Sequence, residues 1–225
     1  MGKRLFQLGI KVLGLLSEVI YPFKEECISC GEYSSEFLCK CCSLKLVRLQ
    51  DSYQIKGSEG DKFQVYSISY YSSVMKKLIL EFKYKKNFFA LELLTELLRD
   101  FILTKKLTFD YITYVPASRK TLKKRGFNQS RLLAHSTAKE LGCEAIELLQ
   151  KFRETKEQKK LNTEERWNNL KEAFKTLNKR DIEGKRLLLI DDVVTTGATV
   201  WHCRDELLKS GALEVLVLTL AKSNV

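Results

Sequence analysis

Residues 187–199, LLLIDDVVTTGAT, narrow the possible folds of this chain more than any other segment. Four consecutive aliphatic residues without polar alternation suit a parallel strand buried on both faces, and a small-residue turn containing Gly197 ends the run. Helical spacing resumes at Val200, so the order is strand, turn, helix. Asp191 and Asp192 then fall at the carboxyl end of a central strand, where open α/β sheets bind their ligands. Thr195, Thr196, Gly197, Ala198 and Thr199 offer backbone N–H groups at a helix N-terminus, where unpaired donors and the helix dipole favour a phosphate. Gly197 lets the backbone approach that anion closely. The two carboxylates are placed to accept hydrogen bonds from a sugar diol or to face a hydrated Mg²⁺.

The surrounding sequence alternates strand and helix. Residues 63–71 are β-rich, and Met75, Leu78, Ile79 and Phe82 mark a helix face. A second helix carries Phe88, Leu91, Leu94, Leu97, Leu98 and Phe101. A strand at 111–115 ends at Pro116, a helix follows at 128–141, and a short strand at 146–149. A short helix at 163–174, the signature strand at 187–190, a helix ending near Gly211 and a strand at 213–220 complete the alternation. Such an order predicts an α/β domain with a mainly parallel sheet flanked by helices. It divides the chain into an amino-terminal helix (1–25), a small cysteine module (26–50), a polar linker with two glycines (51–62) and the main domain (63–225).

A second anion-binding region follows the strand at 111–115. Pro116, Ala117, Ser118 and Arg119 lead into Lys120, Lys123, Lys124 and Arg125, a basic loop suited to a second phosphate group. Lys156, Lys159 and Lys160 form another basic stretch in a polar loop that could close over pyrophosphate. The whole chain has 39 Lys and Arg against 28 Asp and Glu, a net charge of +11 that favours an anionic partner. Charge alone does not choose among a phosphorylated sugar, nucleic acid and an acidic membrane surface. Phe82, Tyr84, Phe88 and Phe89 interleave with Lys83, Lys85 and Lys86, a pattern shared by single-strand binders and by ordinary core helices.

At the amino end, Leu5, Leu8, Val12, Leu15, Leu16 and Val19 form one helical stripe. Gln7, Lys11 and Glu18 interrupt the run, so it reads as a helix docking on the body, a partner or a membrane surface rather than a spanning segment. With no small-residue cleavage site before the cysteines, a reduced cytoplasmic setting is expected. There Cys27, Cys30, Cys39 and Cys42 read as C-x2-C, eight residues, C-x2-C, four thiolates for one structural Zn²⁺. Cys41 competes with Cys42 for the last place, and Cys42 repeats the spacing of the first pair. Cys143 and Cys203 read as buried structural thiols.

The run at 187–199 resembles, at every position, the PRPP-binding signature of type I phosphoribosyltransferases, where PRPP is 5-phosphoribosyl 1-pyrophosphate. The segment VPASRKTLKKRGFNQSRLLA is similar to that of the ComF family of competence-associated proteins, matching at Pro116, Ser118, Arg125, Gly126, Phe127, Asn128, Gln129 and Ser130. The cysteine module, the F-K-Y of Phe82, Lys83 and Tyr84, and the set Lys156, Gln158, Leu161, Arg166, Asn169 and Phe174 extend the resemblance over nearly the whole chain.

The resemblance implies a type I phosphoribosyltransferase-like fold with a small amino-terminal zinc module of four cysteines. It assigns PRPP to Asp191, Asp192, Val193, Val194, Thr195, Thr196, Gly197, Ala198 and Thr199, and pyrophosphate with Mg²⁺ to Pro116, Ala117, Ser118, Arg119, Lys156 and Gln158. It further implies single-stranded DNA handling in natural transformation, together with proteins of the competence machinery. Lys83, Lys85, Lys86, Lys123, Lys124 and Arg125 are the candidate nucleic-acid surface. A metabolic phosphoribosyltransferase acting on a nucleobase-like acceptor and a PRPP-responsive adaptor without turnover are the alternatives. Neither His135 nor His202 has a partner constellation that marks a general base.

Overall fold

The aliphatic run at 187–190 has no polar alternation because both faces of its strand are covered. In the computed structural model, which describes residues 25–57, 60–153, 167 and 169–223, it lies within β6 (Arg186–Val194). Leu188 and Ile190 enter one hydrophobic core, while Leu187 and Leu189 enter the other. β6 runs parallel to β3 (Tyr111–Tyr114) on one side and β7 (Glu214–Lys222) on the other. β7 pairs in parallel with β2 (Lys62–Tyr70), and β1 (Tyr53–Lys56) closes the edge antiparallel to β2. The strand order is β1-β2-β7-β6-β3, mainly parallel as expected.

Six α-helices are defined among the described residues: α1 (Lys40–Leu44), α2 (Ser73–Lys85), α3 (Phe88–Thr104), α4 (Arg119–Arg125), α5 (Gln129–Leu141) and α6 (Ala198–Lys209). Buried residues of α2, α3 and α5 fill the first core, and those of α6 the second. Lys86, at φ 54°, turns the chain sharply between α2 and α3, and Asn87 Oδ1 accepts from the N–H groups of Phe89 and Ala90 to start α3. The cysteine module is part of the first core: Cys27, Cys42 and Leu46 are buried in it, and Phe37 lies 5.5 Å from Phe89, centroid to centroid. The Leu49 N–H donates to Ile68 O of β2 at 2.8 Å.

Four expectations change. The segment expected as a linker contains β1, because Tyr53 and Ile55 alternate inward and the Tyr53 hydroxyl meets Ser67 Oγ at 2.8 Å. The basic loop after Pro116 is helical: Ser118 Oγ accepts from the Thr121 N–H, and Gly126 ends α4 in the left-handed conformation. Residues 146–149 do not form a strand of the main sheet, which is met there by a bridge between Ile112 and Ala145. Instead β4 (Leu149–Lys151) pairs antiparallel with β5 (Phe174–Thr176) in a separate ribbon. Finally, Phe174 opens β5 rather than ending a helix, although Trp167, Asn169 and Leu170 are helical. The expected helix over 1–25 lies outside the described residues but for Glu25.

β1 also bears on the turn before α6. Gly197 adopts φ +83°, and a Cβ added there would lie 2.7 Å from Ile55 Cγ2 and 2.8 Å from Cδ1. Gly197→Ala therefore meets both backbone strain and a clash, and should destabilise the protein by about 1–3 kcal/mol. Denaturant midpoints should show that combining it with Ile55→Ala costs less than the sum of the single changes, because the second substitution removes the clash. Strict additivity would show that Ile55 does not press on the turn.

Candidate functional site

β6 continues beyond the aliphatic run at 187–190. Its ladder with β7 continues through Asp191 and Val193 to Val194, so the acidic pair is held by sheet hydrogen bonds rather than by a loose turn. Two helices restrain the carboxylates. Ser130 Oγ, in the first turn of α5, donates to Asp191 Oδ1 at 2.7 Å, and Lys83 Nζ, near the end of α2, lies 2.6 Å from Asp192 Oδ2. Burial, and next the charge of Asp192, raise the Asp191 carboxyl to about 7, although Ser130 and Lys83 both pull it down. Like charges crowded at a strand end cannot both ionise cheaply, and Lys83 neutralises part of the repulsion.

After Val194 the chain turns through Thr195, Thr196 and Gly197 into α6, and the Ala198 N–H reaches Thr196 Oγ1 at 3.4 Å. Opposite stand Pro116, Ala117 and Ser118 after β3, fixed by Asn128, whose Nδ2 donates to Val115 O at 3.0 Å. A cleft of about 560 Å³ opens between these walls. Asp191 to Thr199, Pro116, Ala117, Ser118, Lys83, Lys124 and Arg125 all line it. The Cβ side of Gly197 faces Ile55, so the glycine serves the turn's conformation and β1 packing rather than leaving space for a ligand as the sequence suggested.

Other candidates lie elsewhere. Arg119, Lys85, Lys86 and Lys123 are exposed and do not line the cleft. Lys156 and Gln158, with Lys159, Lys160, Leu161 and Arg166, lie outside the described residues. Lys83, grouped from sequence with a nucleic-acid surface, has a side chain only 13% exposed and belongs to the acidic pair instead. The interleaved rings likewise divide. Phe82 packs in the core against Phe127, Phe89 meets Phe37, and exposed Tyr84 lies under the Arg125 guanidinium at 5.1 Å. Neither histidine lines the cleft, and burial lowers the His135 imidazole to about 4.

Sequence reasoning gave no site role to Tyr71, Lys151 or Phe174, which line the cleft. Gln129 and Ser130, which carry part of the family resemblance, line it from the first turn of α5. Polar residues at the start of a helix after a strand were the available signal, since that place faces the carboxyl edge of a parallel sheet.

At the other centre, the Sγ atoms of Cys27, Cys30, Cys39 and Cys42 lie within 4.8 Å of one another. Cys30 Sγ and Cys39 Sγ are 3.7 Å apart, close to the edge of about 3.8 Å that follows for a tetrahedron with metal–sulfur bonds of about 2.3 Å. Gly31 takes φ +81° after the first pair, and the Cys42 N–H points at Cys39 Sγ at 3.5 Å. Burial pushes the Cys42 thiol up to about 12, whereas burial at Cys27 is outweighed by backbone donors that lower it to about 6. Four soft donors in this arrangement could hold a metal ion. Cys42, not the exposed Cys41, completes the set.

Among the described residues no helix is long and apolar enough to cross a membrane. Residues 128–225 match the family model of the phosphoribosyl transferase domain, which spans the acidic pair, its turn and Ser130. The chain is 32% identical over 163 residues to the DNA utilization protein YhgH of Salmonella typhi, covering 70% of this chain and 71% of that one. It is 31% identical over 163 residues to Competence protein F of Haemophilus influenzae, covering 69% and 71% of the two chains. It is also 29% identical over 203 residues to Competence protein ComFC of Bacillus subtilis, covering 88% of this chain and 78% of that one. Fold, cysteine cluster and relatives agree, and the chain belongs to the ComF family of phosphoribosyltransferase-like competence proteins.

Proposed function

We propose that this chain is a cytoplasmic protein of natural transformation that binds PRPP with Mg²⁺ in the cleft and handles single-stranded DNA on the basic surface beside it, with Zn²⁺ in the cysteine module. The observation that supports PRPP most directly is the acidic pair on β6 leading into the left-handed Gly197 turn at the start of α6. In this reading the N–H groups of 195–199 hold the 5-phosphate, and Asp191 and Asp192 accept hydrogen bonds from the ribose hydroxyls. Pro116, Ala117 and Ser118 flank the pyrophosphate with Lys124 and Arg125. Mg²⁺ would supply further neutralisation of the pyrophosphate charge.

The DNA surface is supported by α4. Five of its seven residues are cationic and none is buried, so it contributes little to the core and much to an anion-facing surface. Arg125 over Tyr84, with Lys86 and Lys123 exposed nearby in sequence, offers a stacking face beside cations.

Three outcomes test these assignments. Elemental analysis of protein purified without chelator should give about one zinc per chain, and stripping it should destabilise the main domain because Cys27 and Cys42 are part of its core. Full stability of zinc-free protein would contradict this.

PRPP with Mg²⁺ should bind by calorimetry, with an affinity that falls as pH drops through about 7. The sign follows from the raised Asp191 carboxyl: below 7 it holds a proton and loses its charge as acceptor, at a cost of up to about tenfold per pH unit. Asp191→Asn should weaken binding and flatten that part of the profile. An unchanged affinity and profile would remove Asp191 from the site.

Single-stranded DNA binding should weaken steeply with salt as counterions are released. Replacing Lys86 and Lys123 by Ala should reduce the salt slope by about one for each DNA phosphate that is no longer neutralised. It should leave PRPP affinity unchanged, since neither lysine lines the cleft. Lys124→Ala should reduce both. No DNA binding at low salt, with sustained acceptor-dependent pyrophosphate release, would favour a metabolic transferase.

A further inference from the structure

The four sulfurs of the cysteine module differ in their access to solvent. Cys27 and Cys42 are 2% and 4% exposed and belong to the first core, whereas Cys30 is exposed and Cys39 half-buried. Cys30 Sγ and Cys39 Sγ are also only 3.7 Å apart. An oxidant that reaches the cluster therefore meets Cys30 first, with a second sulfur already beside it. A reactive thiol with a resolving thiol at hand favours a disulfide over further oxidation. The buried pair ties the module to the main domain. Cys27, Cys42 and Leu46 share the first core with Phe82, one residue before Lys83, and Phe37 packs on Phe89 in the first turn of α3. Between Phe82 and Phe89, Lys86 turns the corner from α2 to α3 at φ 54°.

We infer that Cys30 and Cys39 are a redox-active pair whose oxidation to a disulfide loosens the α2–α3 corner that carries Lys83. The inference rests on the Zn²⁺ reading above, in which all four thiolates serve one ion. The oxidant is hydrogen peroxide. The Cys30 thiolate attacks it, giving the sulfenic acid and one hydroxide, and the Cys39 thiolate then attacks that sulfur, forming the disulfide and releasing a second hydroxide. Two thiolates thus lose two electrons, and the peroxide O–O bond takes them up as it breaks. Cys27 and Cys42 alone are too few for a closed four-coordinate site, and the ion is released. Both are buried in the first core, so the loss of their cross-link is felt by the helices packed there. Lys83 reaches Asp192 from the end of α2, which puts the acidic pair of the cleft next in line.

The test uses the full chain purified without chelator, its zinc measured by elemental analysis before treatment with hydrogen peroxide. Peptide mapping should find a disulfide between Cys30 and Cys39, and a chromogenic chelator should detect about one Zn²⁺ released per disulfide formed. Amide hydrogen exchange should show protection lost across α2 and α3 as well as in the module, and dithiothreitol with Zn²⁺ should restore it. Cys41→Ser should leave each of these results unchanged, since the exposed Cys41 stands outside the set. No disulfide, a disulfide that maps to Cys41, zinc retained after oxidation, or protection lost in the module alone would overturn this inference and leave the zinc reading intact. Untreated protein that holds no zinc would overturn both.

Discussion

Two carboxylates side by side at the end of a strand covered on both faces repel one another, and much of the site follows from how that repulsion is managed. Burial opposes ionisation of Asp191, and the neighbouring Asp192 adds to the effect. Ser130 approaches from α5 with a hydroxyl donor and Lys83 from α2 with a cation. Neither contact adds much apolar packing. Their effect is to hold two acceptors in fixed positions at the carboxyl edge of the sheet. Removing one partner leaves a buried charge uncompensated, so the pair links the helix ends to the strand end.

The cysteine module connects to the same arrangement. Cys27, Cys42 and Leu46 lie in the core that also holds Phe82, one residue before Lys83. Phe37 meets Phe89 in the first turn of α3, just beyond the sharp corner that follows α2. A module of this size has little apolar core of its own, so the core it shares with the main domain orders it, beside four cysteines that could hold a metal ion. Position along the chain thus understates the coupling: an amino-terminal module supports the helix that carries a residue of the cleft.

The parts legible in the sequence were those whose signal is local. The unbroken aliphatic run of β6 is visible because its alternate residues enter two cores, and the small-residue turn follows without interruption. The cysteine spacing was legible for the same reason, including the choice of Cys42 over Cys41. β1 was not, because a four-residue half-exposed strand depends on a partner, β2, and the polar residues around it read as a linker. α4 looked like a loop because its cations gave no apolar face, although Ser118 and Gly126 were standard start and stop residues. The Ser130–Asp191 contact spans 61 positions and the Lys83–Asp192 pair spans more, so both depend on how separate elements meet. Lys83 shows the same dependence: Lys85 and Lys86 close by in sequence are exposed, while Lys83 pairs with Asp192 and lines the cleft.

The proposed function makes the end of β6 a ligand anchor and not merely a buried electrostatic knot. A crystal structure of the zinc-loaded full chain with PRPP and Mg²⁺ tests it most directly. Ribose hydroxyls should lie within hydrogen-bond distance of Asp191 and Asp192, and the 5-phosphate against the N–H groups of 195–199. PRPP bound elsewhere, with Ser130 and Lys83 still closing the acidic pair and no sugar oxygen against either carboxylate, would contradict it.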